Sequence, residues 1–107
     1  MSSPTIAVVA FDHISPFHLS VPCVVFGEAH PGTPLFDLKV CAVETGPINT
    51  TAGFSFGINH DLSVLKKADT VIIPSWRNPA ERPPESLIKA LSAAQRRGAQ
   101  VVGLCLG

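Results

Sequence analysis

The segment Gly103-Leu104-Cys105-Leu106-Gly107 sets one cysteine between two glycines, and the largely apolar stretch from Gln100 to Leu104 runs into it. A nucleophile elbow needs this arrangement. It is a tight turn from strand to helix that holds a Ser or Cys in a strained conformation, and small neighbours keep side chains out of the turn. A helix beginning at the elbow aims its first N–H groups at the sulfur, which lowers the thiol pKa and favours thiolate. On the pentapeptide alone, a buried structural cysteine beside two incidental glycines explains the pattern equally well. The buried strand expected immediately upstream favours the elbow. Trp76 and Arg77 follow another apolar run, Thr70 to Ile73, and ligands of open α/β sheets bind outside the carboxyl ends of the strands. There Trp76 can wall an apolar pocket and Arg77 can hold a carboxylate. An ordinary loop tryptophan and a solvated arginine fit the same residues. His13, His30 and His60 read as loop histidines without a function. Cys23 and Cys41 read as small core residues.

These groups need a scaffold. Ile6 to Phe11, IAVVAF, is continuously apolar and rich in β-branched residues, as befits a strand covered on both faces of a parallel sheet. Ser15-Pro16 starts a helix over Phe17 to Phe26, with Phe17, Val21, Val24 and Val25 at helical spacing. Pro22 inside it removes a hydrogen bond and should kink it. Leu35 to Val43 alternates as a strand, and its mixed second face, with Asp37 and Lys39, places it near a sheet edge. Thr50-Thr51 and Phe54 to Ile58 read as a short β excursion. Asp61 can cap a short helix from Leu62 to Ala68. Thr70 to Ile73 is a second buried strand, ended by Pro74. Pro83-Pro84-Glu85 opens a helix through Arg97, with Gly98 as its stop. Gln100 to Leu104 is the third buried strand. Strands alternating with helices predict an α/β layer fold with a parallel sheet.

Composition narrows the class. The chain has 107 residues, of which 46% are hydrophobic, and a formal net charge of zero at pH 7. That is enough apolar material for a core in one small domain. The basic residues are scattered apart from Lys66-Lys67 and Arg96-Arg97, so this segment by itself is a poor nucleic-acid binder. No apolar run approaches the roughly 20 residues that span a bilayer. Met1-Ser2-Ser3-Pro4 lacks the charged and apolar regions of a signal peptide, and a cytoplasmic location is expected. The three cysteines have no CxxC spacing, so neither a disulfide framework nor a metal site is expected, nor any cofactor.

The stretches IAVVAFDHISPFHLSVPCVVFGE, DTVIIPSW and VVGLCLG together resemble the DJ-1/PfpI superfamily, which is related to class I glutamine amidotransferases. SPFHLSVPCVVFG narrows the resemblance to the N-terminal domain of GlxA/FtrA-type transcriptional regulators of the AraC family. The similarity runs over essentially the whole chain. It implies a flavodoxin-like parallel sheet sandwiched by helices, with residues 1–107 forming the front part of one such domain. The remainder of the domain and any helix-turn-helix units are expected beyond Gly107. By the resemblance, Cys105 is the elbow residue, and Pro74-Ser75-Trp76 is the turn whose N–H groups line the oxyanion side, with Ser75 in place of a glycine. His18 falls where many relatives carry an acid that hydrogen-bonds the sulfur. An imidazole can donate to a thiolate but cannot supply that carboxyl proton. The resemblance therefore implies a domain that senses a small-molecule effector at His18, Ser75, Trp76, Arg77 and Cys105, contacts DNA only through another domain, and works as a homodimer. The alternative is a cysteine-dependent hydrolase or hydratase acting on a small carbonyl or amide compound.

Overall fold

The computed structural model describes residues 3–28, 35–76, 78 and 80–104. Its centre is a sheet of four parallel strands, β1 (Thr5–Ala10), β2 (Asp37–Ala42), β5 (Thr70–Ile73) and β6 (Gln100–Gly103), in the order β2-β1-β5-β6. The register pairs Ile6 with both Leu38 and Thr70, and Val71 with Val101. β1 lies between two neighbours and under both layers, and Ile6 to Phe11 are buried without exception. This is why the run from Ile6 to Phe11 is apolar at every position rather than at alternate ones. As expected, β2 lies at an end of the sheet. The carboxyl half of its outer edge is not bare, because Ala42 N–H donates to the His60 carbonyl at 2.9 Å.

One face of the sheet, with Ala7, Val9, Cys41 and Val71, packs against Leu65 and Ala68 and against Leu87 and Ala94 of α2 (Glu85–Arg96). Leu65 belongs to a 3₁₀ segment, Leu62–Lys66, within the short helix expected from Leu62 to Ala68. Asp61 caps it, accepting from the Ser63 N–H at 2.9 Å. α2 begins after Pro84 and stops at Gly98, whose φ of 103° lets the chain reverse into β6. Arg97 ties the two covering elements together. Its guanidinium donates to the carbonyls of Leu65 and Ala68 at 2.9 and 2.7 Å. Arg97→Ala is expected to lower stability by about 1–2 kcal/mol, the scale of partly buried charge-assisted hydrogen bonds, read as a lower urea midpoint with an unchanged slope.

The other face carries Ile6, Val8 and Ile72 under Leu19 and Phe26. These come from α1 (Pro16–Cys23) and the π-helical turn that continues it, Val24–Glu28. The helix expected over Phe17 to Phe26 thus changes type near its middle. Pro22 has no N–H to donate, and immediately afterwards the Val24 N–H is shared between the carbonyls of Ser20 and Val21. The apolar spacing of Phe17, Val21, Val24 and Val25 marks a helix but not its buried side. Those four are exposed, Phe17 at 71% and Val25 at 49%, and the helix packs inward through Leu19 and Pro22. The layer is also narrow. Beyond it, Thr70, Ile72, Gln100, Val102 and Leu104 floor an apolar groove of about 580 Å³ whose far wall is Val21, Pro22, Val25 and Phe26.

A two-stranded antiparallel excursion, β3 (Ile48–Asn49) with β4 (Ser55–Phe56), closes the β1 end of the molecule. β3 lies just before the expected Thr50-Thr51, and β4 falls within the expected Phe54 to Ile58. Thr50 makes its turn rather than a strand, with the hydroxyl donating to the Phe54 carbonyl at 2.8 Å and accepting from the Ala52 N–H at 3.2 Å.

Candidate functional site

Pro74 ends β5 because it cannot donate to the ladder, and the chain leaves the sheet at its carboxyl edge as Pro74-Ser75-Trp76. Pro74 is buried, and Ser75 and Trp76 are half-buried. The neighbouring strand ends in step: the Leu104 N–H donates to the Ile73 carbonyl at 2.9 Å. Leu104, the last described residue, is thereby delivered beside the Pro74-Ser75-Trp76 turn. Cys105 and Arg77 lie outside the described residues.

Trp76 is held rather than free. Its ring meets Phe11 at 4.9 Å between centroids with a 49° tilt, and its indole Nε1–H donates to the Glu81 carbonyl at 3.0 Å. The loop that receives it is itself ordered by Asn78, whose side-chain oxygen accepts from the Ala80 N–H and whose carbonyl accepts from the Glu81 N–H, both at 3.0 Å. The indole is thus fixed on both its face and its N–H. Trp76 and Leu19, the residue after His18, pack against the same cluster of Phe11, Ile14 and Ile48.

His18 stands in the first turn of α1, with Phe17 edge-on at 5.6 Å and an interplanar angle of 82°. Its Nδ1 is buried and has no hydrogen-bond partner among the described residues. Leaving a polar atom so placed costs about 1–3 kcal/mol, so it calls for a partner from outside the described set.

A recess missed by the sequence reasoning lies on the same edge. Asp12, His13, Glu44, Asn78 and Glu81 line about 520 Å³ of space beyond the ends of β1, β2 and β5. The usable signal was position, since Asp12-His13 and Glu44 fall just past the carboxyl ends of two strands. Its acids also build the fold. Asp12 accepts from the Asn49 N–H at 2.9 Å and pairs with His13 at 3.4 Å, and Glu44 accepts from the Asp12 N–H at 3.0 Å. His13 sits at φ 66°, a left-handed conformation uncommon outside glycine. Of the two described cysteines, Cys41 is core as expected, and burial, reinforced by the Asp61 carboxylate, pushes its thiol up to about 12. Cys23, also expected in the core, is only half-buried at the end of α1, because the helix packs through Leu19 and Pro22 instead. The Cys41 environment disfavours a thiolate.

No protein-family model and no curated protein matches the chain. Solved structures do. A DJ-1 superfamily protein from Agrobacterium tumefaciens superposes with a TM-score of 0.72 at 12% identity, over 94% of this chain and 52% of that one. A two-domain protein of Anabaena variabilis with DJ-1/ThiJ/PfpI-like and ferritin-like domains gives 0.77 at 17% identity, over 98% of this chain and 30% of that one. An AraC family transcriptional regulator from Pseudomonas putida gives 0.70 at 15% identity, over 94% of this chain and 55% of that one. The chain thus spans about half or less of the length of these neighbours. Among the described residues, no helix is long and apolar enough to cross a membrane. Strand order, register and neighbours agree that the chain has the α/β fold of DJ-1/PfpI-like domains.

Proposed function

We propose that the chain is the small-molecule-sensing part of a DNA-binding transcriptional regulator of the AraC type, cytoplasmic and dimeric. In this reading Cys105 occupies an elbow after β6, facing the Pro74-Ser75-Trp76 turn. His18 stands toward the sulfur, Trp76 walls the pocket, and Arg77 holds a carboxylate of the effector. DNA is contacted by a further domain, whose orientation the bound effector biases. The AraC-family neighbour supports this reading, and the DJ-1 superfamily neighbour keeps a cysteine-dependent enzyme compatible with the same fold.

The observation that carries the proposal is His18, an imidazole with a buried, unpartnered Nδ1 on α1. An imidazole N–H can hold a thiolate or a ligand oxygen. It does not offer the carboxyl proton attributed to hydratase-type members of the resembling family. A thiolate placed there can attack a carbonyl carbon, forming the C–S bond while the π pair moves to oxygen. Without a matched acid and base the adduct reverts to thiolate and carbonyl, and no cycle is completed.

Two measurements on the whole protein test the site. Iodoacetamide is expected to label Cys105 first, Cys23 more slowly, and Cys41 only on unfolding. For a small carbonyl or amine metabolite found by thermal shift, His18→Ala is expected to weaken binding about tenfold, roughly 1.4 kcal/mol. Preferential labelling of Cys23, or unchanged affinity in His18→Ala, contradicts the proposal.

A further inference from the structure

We draw no further inference here: the strongest candidate, the uncharged apolar groove between α1 and the β5–β6 side of the sheet, is an unpartnered face, and nothing in the structure shows what covers it.

Discussion

Phe11→Ala is expected to remove about 3–5 kcal/mol of stability, the range for emptying a buried aromatic site. Phe11 has no exposed surface, it meets the Trp76 ring at 4.9 Å, and it packs in one cluster with Ile14, Ala42 and Ile48. Its neighbours are held by the backbone bonds of His13 to Asn49 and of Thr51 to Ile14, so the site cannot collapse to fill the space. A domain of this size is stable by about 5–15 kcal/mol in total, so the loss is a large part of the whole. Trp76, the only tryptophan, reports on this cluster by its fluorescence during urea unfolding. Phe17→Ala is the control. Phe17 is 71% exposed, and its removal is expected to change stability by no more than about 0.5 kcal/mol. Equal losses from the two substitutions would show that the Phe11 cluster is not the packed corner described above.

The second large effect is alkaline. Burial holds the Cys41 thiol at about 12 against an ordinary value of 9.0, so between those limits the unfolded chain releases a proton that the folded one keeps. Protons bound preferentially by the folded state make stability fall as pH rises. The contribution is intact below pH 9 and is lost as pH rises from 9 toward 12, a loss on the order of 4 kcal/mol. The informative quantity is a difference between two proteins. The urea midpoint of Cys41→Ala is expected to fall less steeply from pH 8 to pH 10 than that of the unsubstituted protein. Parallel slopes would mean that Cys41 is solvated. Asp61 acts at the other end of the scale: its carboxyl is lowered by hydrogen bonds from Ser63, so its capping contribution is lost as pH falls through that lowered value.

The central architecture was legible because its causes are local. β1 is apolar from Ile6 to Ala10, β5 is stopped by Pro74, and α2 is bracketed by Pro84 and Gly98, so each announces its type and at least one of its limits. What escaped the sequence was decided by tertiary partners. α1 has two apolar stripes, and only the sheet determines that Leu19 and Pro22 go in while Phe17 and Val21 stay out. The shift to a π turn after Cys23 follows from Pro22, yet a kink and a change of helix type are equally compatible with a missing N–H. The position of β3 and β4 depends on long-range bonds from Asp12 and His13, which no local pattern reveals. The same holds for the recess at Asp12, His13 and Glu44, whose members come from separate strand ends. At the carboxyl edge of the sheet, the end of β5 before Pro74 was placed correctly from the sequence, whereas the anchoring of Trp76 on Phe11 and Glu81 was not foreseeable from spacing.

The sensor reading stands or falls on what the intact protein does with its effector. The decisive measurement titrates the full-length protein against its operator DNA with and without each thermal-shift hit, while following the amount of that compound over time. The account predicts that an effective compound changes operator affinity, that Cys105→Ala or His18→Ala blunts the change, and that the compound is recovered intact. Multiple turnovers that Cys105→Ala abolishes, with operator affinity indifferent to the compound, would contradict it and assign the elbow to an enzyme.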